Sequence, residues 1–375
     1  MATRFARLTA WSSLLLLALA PAAVLAQNAY QQTNLVSDLP QLVGNDPNKV
    51  DPNLVNPWGI SRGPNTPFWV SDNGTGVTTL YNGAGNIIPR VFTIPPPPGS
   101  PAGTTSAPTG QVFNGSSNFD GNFFIFATED GTIAAWKPAD GLTAQIVADS
   151  TPAGAIYKGI TIAGDHLYAA DFHNGRIDVF DSGFNPTTLA GNFRDPNLPT
   201  GYAPFNIQNI GDKLYVTYAL QDSNAEDDVP GLGHGFIDIF NPDGSLADHF
   251  ASQGTLNSPW GLALAPGNFG AFSNDLLVGN FGDGRINAFD PNTKAFLGQL
   301  EDLNHNPIAI DGLWGITFGN GLISDANKLY FAAGINHEAN GLFGTLQAVP
   351  EPGTLAFLAI GSLSTAGLLL RRRKS

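Results

Sequence analysis

Residues able to hold a cation or a polar ligand recur at one kind of place in this sequence. Asp72 and Asn73, Glu129 and Asp130, Asp171 and His173, Asn280 and Asp283, and His337 and Glu338 all fall in or beside short turns between apolar runs. If those turns are equivalent positions of a ring, their carboxylates, amides and imidazoles face one axis. Crowded carboxylates repel one another and raise their own pKa values unless a cation is present. A hard, oxygen-rich mouth of this kind suits calcium better than zinc, so calcium is the one candidate cofactor. His234, in Gly233-His234-Gly235, stands in a similar turn, and with His173 and the tryptophans Trp58, Trp260 and Trp314 it is a candidate for touching a ligand. The plainer alternative stays open for both sets: Asp, Asn and His as turn formers, and tryptophans as packing residues.

Other chemical patterns are weaker. Gly59-Ile60-Ser61-Arg62-Gly63 has the form G-x-S-x-G, but it lies in an expected strand with no helix after it, so it lacks the turn that would expose a nucleophile. The six histidines contain no H-E-x-x-H pair. Asp222 to Asp228 resembles half of a calcium loop, yet Asp227 stands where an EF-hand needs glycine and no glutamate closes the loop. An EF-hand is excluded, and a solvated acidic loop or a looser calcium site remains.

The elements that would position these groups are legible as a repeat. A first-strand opening motif recurs as Pro57-Trp58-Gly59, Pro108-Thr109-Gly110, Tyr157-Lys158-Gly159, Pro204-Phe205-Asn206, Pro259-Trp260-Gly261 and Leu313-Trp314-Gly315, at spacings of 51, 49, 47, 55 and 54 residues. Each copy is followed by short alternating runs separated by Gly, Asp, Asn and Pro, the pattern of antiparallel strands. Blade 5 shows four such runs between Leu256 and Leu300, and a period near 50 residues indicates an array of such units. Six copies predict an all-β, six-bladed β-propeller. The sixth copy lacks a fourth strand after Leu346, and Thr33 to Asp38 resembles the missing one. That segment is expected to complete the last blade and close the ring, hiding an open edge. In blade 3 the fourth strand is expected at Gly191 to Asp195.

Composition narrows the setting. The chain has 375 residues, no cysteine and a single methionine, Met1, so stability rests on burial and ring closure without crosslinks. Arg4 and Arg7 precede an apolar run from Leu14 to Ala20, and Val24-Leu25-Ala26 offers a small-residue cleavage site, so residues 1–26 read as a signal peptide. Residues 27–348 form the expected propeller. Residues 27–350 carry 11 basic and 30 acidic side chains, a net charge of −19, which excludes nucleic-acid binding and disfavours anionic lipid.

Residues 349–375 hold Val349-Pro350-Glu351-Pro352, then sixteen mostly apolar residues from Leu355 to Leu370, then Arg371-Arg372-Arg373-Lys374. Motif, short hydrophobic helix and basic tail in this order resemble the PEP-CTERM sorting signal of Gram-negative bacteria. Sixteen helical residues span about 24 Å, short of a ~30 Å hydrocarbon core, and the basic cluster holds the tail on the cytoplasmic side. The resemblance implies a transient transmembrane helix in the inner membrane, cut near Pro350-Glu351-Pro352 by an exosortase-type protease. Delivery to the cell surface or the extracellular matrix follows. A permanent anchor is the alternative.

Residues 33–348 resemble an uncharacterised family of exported bacterial six-bladed propellers. The resemblance rests on Asp51-Pro52-Asn53-Leu54-Val55-Asn56-Pro57-Trp58-Gly59-Ile60, Phe126-Ala127-Thr128-Glu129-Asp130-Gly131-Thr132-Ile133 and Gly279-Asn280-Phe281-Gly282-Asp283-Gly284. It implies the fold and export, but no activity. Two functions follow from the residues. The first is a non-catalytic protein binding a ligand, extracellular polysaccharide or another surface protein on one propeller face. The second is a calcium-dependent hydrolase of lactonase or esterase type at the channel mouth. Propellers host both, so the fold does not choose.

Overall fold

The computed structural model describes residues 27–349. Residues 1–26, expected to be a signal peptide, and the segment from Pro350 onward lie outside that range. Six four-stranded antiparallel sheets follow one another around a ring. The first strand of each, Pro57–Ser61, Pro108–Phe113, Tyr157–Ala163, Tyr202–Ile210, Pro259–Leu264 and Leu313–Phe318, lies at the centre and touches the next first strand, with blade 6 returning to blade 1. This is the six-bladed propeller expected from the repeat.

Alternation along each strand explains the packing. In blade 3, Leu167 and Ala169 face blade 2 while Tyr168 and Ala170 face blade 4. In blade 6, Leu329, Phe331 and Ala333 face blade 5, whereas Tyr330 and Ala332 face blade 1. Successive side chains point to opposite faces of a strand, so a strand buried on both faces feeds two interfaces. Each of the six blade interfaces thereby has its own apolar cluster.

The ring closes as the repeat predicts. Strand Tyr30–Ser37 pairs with Asn340–Ala348 from Tyr30 opposite Ala348 to Ser37 opposite Leu342. Tyr30 and Val36 are fully buried, and Tyr30 packs on Phe269 and Phe272 and donates its hydroxyl hydrogen to the Phe269 carbonyl at 2.9 Å. A bulge between Asn34 and Val36 leaves Leu35 only partly buried.

Blade 3 differs from its sequence reading. Its fourth strand is only Pro186–Thr187, and residues 191–195 instead continue as a loop towards blade 4. The reason is local. Gly191 and Phe193 donate their backbone hydrogens to Asp243 and Gly244 of blade 4 instead of to blade 3.

One irregularity repeats six times and positions the site. The register of every first strand slips just after the first residue of its opening motif, at Pro57, Pro108, Tyr157, Pro204, Pro259 and Leu313. A bulge re-aims a side chain, and here it directs the second residue of each opening motif inward. The third residue is glycine in five blades because the neighbouring backbone is too close for a side chain. A Cβ on Gly315 would stand 2.7 Å from the carbonyl oxygen of Trp58, and one on Gly261 would stand 2.6 Å from that of Trp314. Blade 4 has Asn206 instead, which reaches across to donate to the Trp260 carbonyl at 2.7 Å.

Candidate functional site

The six re-aimed residues are Trp58, Thr109, Lys158, Phe205, Trp260 and Trp314. Trp58, Phe205, Trp260 and Trp314 pack with Phe172, Ala203 and Ala219 into one cluster at a mouth of the channel, with Phe281 against it, and the Lys158 ammonium lies over the Trp58 and Phe172 rings. Below them the channel narrows to a cavity of about 30 Å³ lined by the glycine tier, roughly room for one or two waters. The axis is a plug, closed by backbone contact beneath and aromatic rings above.

The aromatic part is a stack. Trp58 and Trp314 lie face to face at 3.5 Å, and Phe281 stacks on Trp314 at 3.9 Å. Those two distances place Trp58 and Phe281 on opposite faces of Trp314. Trp260 meets both tryptophans edge-on. The Lys158 ammonium stands 5.1 Å from the Trp58 ring, within cation–π range. Trp58, Trp260 and Trp314 are all at least 96% buried, while Phe281 is only partly buried. The indole N–H groups of Trp58 and Trp260 are buried with no acceptor in the protein, an uncommon state for a buried donor.

The polar part surrounds Lys158. Its side chain is 1% exposed, and its ammonium donates to Glu129 Oε1 at 2.5 Å and Asp227 Oδ1 at 3.3 Å. Burial would lower its pKa, but the charges of Glu129 and Asp227 outweigh burial and hold it above the ordinary lysine value. Asn73 Nδ2 donates to Glu129 Oε2 at 2.8 Å, and Asn56 Nδ2 to Asn73 Oδ1 at 3.3 Å. Glu338 accepts from Trp314 Nε1 at 3.2 Å. Its carboxyl is pushed up to about 7, first by burial and then by the charge of Glu129. Asp228 is pushed up to about 6, chiefly by burial. The mouth therefore combines a fixed cation, paired carboxylates and one carboxyl poised between its charged and neutral forms.

Of the residues singled out in the turns, Asn73, Glu129 and Glu338 converge here, and the others are engaged elsewhere. Asp72 is wholly buried against Thr79 and near Asp51, burial raises its pKa well above the ordinary value, and it lies inside the blade and not at the mouth. Asp171 accepts from Ile156 N, Asn174 N and Asn174 Nδ2 and caps its own turn. Asp130 ties Ser106 and Ala107 of the preceding loop. Asn280 donates to Thr255 O and to Asp283 Oδ1. His337 is exposed at positive φ in its turn. His173 contacts the Ala225 carbonyl at the rim of the mouth, and His234 contacts the Val229 carbonyl within its own loop. Ser61 ends its strand, and the neighbouring Arg62 donates to Phe318 O and Gly319 O of blade 6. In the acidic loop, Asp222 is occupied by the backbone of Asn224, Glu226 and Asp227, which leaves Asp227 to reach Lys158.

The sequence reading missed Lys158, Phe205, Phe281 and Asn56. The signal for the first two was present. Lys158 and Phe205 occupy the same position of the opening motif as the three tryptophans, so a ring position held them all. Phe281 was visible one residue beyond Asn280, where the alternation of the strand turns a side chain to the axis.

Residues 348–374 match the PEP-CTERM protein-sorting motif. Such a motif implies export and handling by exosortase-type machinery. No helix among the described residues is long and apolar enough to cross a membrane. An uncharacterized protein of Acanthamoeba polyphaga mimivirus is 36% identical over 324 residues, covering 81% of this chain and 78% of its own. A second from the same virus is 36% identical over 313 residues, covering 79% and 81%. Among solved structures, a streptogramin B lyase superposes with a TM-score of 0.53 at 13% identity, over 85% of this chain and 98% of the lyase. The PQQ-bound aldose sugar dehydrogenase of Streptomyces coelicolor superposes with a TM-score of 0.50 at 15% identity, over 86% and 99%. These two likenesses are of fold alone.

Proposed function

The chain belongs to one family with these two mimiviral proteins and carries a sorting motif, and from that premise we propose a non-catalytic, surface-delivered binding protein. Its ligand is a neutral or amine-bearing glycan, held at the aromatic mouth. The observation that carries this reading is the side-by-side placement of Phe281 and Glu338 on Trp314. A partly exposed aromatic face beside a carboxyl and an amide can stack on a sugar ring and bond its hydroxyls. The unpartnered indole donors of Trp58 and Trp260 add polar demand beneath it. An excess of carboxylates at the mouth, on a domain of net charge −19, disfavours anionic polysaccharide.

Isothermal titration of the exported domain with cello-, chitosan- and alginate oligosaccharides tests this. Neutral or cationic oligomers should bind and alginate should not, with binding weakened in Phe281→Ala and Glu338→Ala. Equal binding by both variants, or no binding of any neutral or cationic oligomer, removes the glycan reading.

The alternative, a calcium-dependent hydrolase at the same mouth, is favoured by one observation: a carboxyl near 7 beside Glu129 could act as an acid. Calcium would there have to displace the Lys158 ammonium from Glu129. A melting temperature raised by millimolar calcium over chelator, together with lactone hydrolysis lost in Glu338→Gln, would support it over the binding reading.

A further inference from the structure

Away from the axis, Asp195, Asp238 and His249 come together where blade 3 meets blade 4. Asp195 lies in the loop that replaces the missing outer strand of blade 3. Asp238 lies in the third strand of blade 4 and His249 in the fourth, paired opposite each other. One donor atom from each of the three lies within 4.8 Å of the others. Both aspartate side chains are 1% exposed, while His249 is 42% exposed and reachable from solvent.

Geometry divides the roles. Asp195 Oδ1 stands 3.2 Å from His249 Nε2, the separation of two ligands sharing an ion with bonds of about 2.0–2.1 Å. Asp238 Oδ1 stands 2.6 Å from Nδ1 on the other side of the ring. That is the carboxylate–histidine arrangement which fixes the tautomer and leaves Nε2 free for a metal. A further buried group points the same way. The Tyr218 hydroxyl, on a residue 2% exposed, lies against Asp238 and near Asp195, yet neither it nor Asp238 Oδ2 has a hydrogen bond of normal geometry. A cavity of about 440 Å³ lined by Asp195 and Tyr218 opens beside them.

We propose that Asp195 and His249 Nε2 bind a zinc-like divalent transition ion, with Asp238 and Tyr218 as its positioning residues. Mixed oxygen and imidazole donors favour such an ion over calcium or magnesium. The ion clips the loop after blade 3 onto blade 4, where a two-residue strand leaves that loop with little ladder of its own.

The test is titration of the tag-free exported chain with ZnCl2, with CoCl2 absorption in the visible as a second readout. The expected result is one site per chain and a cobalt spectrum, both lost in His249→Gln. Affinity should fall at least tenfold in Asp195→Asn and about tenfold in Asp238→Asn. His249 is exposed enough for its variant to fold, which a melting curve verifies. No zinc binding by the wild type overturns the site, as does a His249→Gln variant that melts normally and keeps wild-type affinity.

Discussion

At the hub, six first strands approach so closely that Gly315 meets the backbone carbonyl of Trp58. At the rim, fourth strands range from two residues in blade 3 to eight in blade 6. The hub repeats one device six times, a bulge followed by a close approach. The rim improvises: blade 6 borrows its outer strand from the start of the domain, and blade 3 substitutes a loop bonded to its neighbour. A hub residue is constrained by two blades at once, so its geometry carries over from copy to copy. A rim residue answers to one sheet edge, where several endings hide the edge equally well. Sites that need many blades to agree therefore belong at the hub.

The largest effect tests the one rim element that serves the whole ring. Deleting Tyr30 to Ser37 removes two fully buried apolar side chains, Tyr30 and Val36, worth roughly 3–6 kcal/mol of burial. It also exposes the edge of Asn340–Ala348. A sharply lower melting temperature with aggregation is expected. A truncated domain that melts like the intact one would make blade 6 as tolerant as blade 3.

Gly315→Ala comes next and probes the hub directly. Its new Cβ meets backbone at 2.7 Å, so the first strands must move apart. Such overpacking costs about 2–3 kcal/mol, measurable by denaturant unfolding. A cost under about 0.5 kcal/mol would mean that the hub is not tightly fitted.

Lys158→Met tests the mouth. Removing one partner of a buried ion pair costs ~3–5 kcal/mol, but Glu129 is 26% and Asp227 77% exposed, so water can take over part of the role. A loss of about 1–2 kcal/mol at pH 7 is expected after that discount. Unchanged or increased stability would show that the lysine compensates nothing.

How much of this was legible in the sequence follows from the same contrast. The repeat spelled out the six blades and the closing strand, because each copy must satisfy the same hub geometry. Trp58, Trp260 and Trp314 are legible from that repeat, whereas Lys158 shares their position but not their residue type and so does not stand out as an aromatic. In the turns, one residue decides the outcome. Asp72 ends the strand and is buried, whereas Asn73 beside it reaches the mouth, since neighbours along a strand point opposite ways. The blade 3 ending was misread because residues 191–195 look like a strand but bond to blade 4. The rim cluster was invisible because Asp195, Asp238 and His249 share no repeat position.

The smallest effect is a pH dependence at the hub. The Glu338 carboxyl is raised to about 7 in the folded protein by burial and by Glu129, above its ordinary value of 4.5. Between those values the folded state binds more protons than the unfolded one, so stability falls as pH rises from about 4.5 to 7. Below that window the penalty is absent, and above it the penalty is complete. Asp228 and Asp238, both raised to about 6, slope the same way. Glu338→Gln should therefore flatten part of the decline without abolishing it. The variant should gain about 1 kcal/mol over wild type at pH 8, with the partly exposed position limiting the gain, and nothing at pH 4. Denaturant unfolding at the two pH values measures the difference. Parallel pH profiles for the two proteins would mean that Glu338 ionises freely, and that the mouth is open to water in a way its packing against Trp314 does not allow.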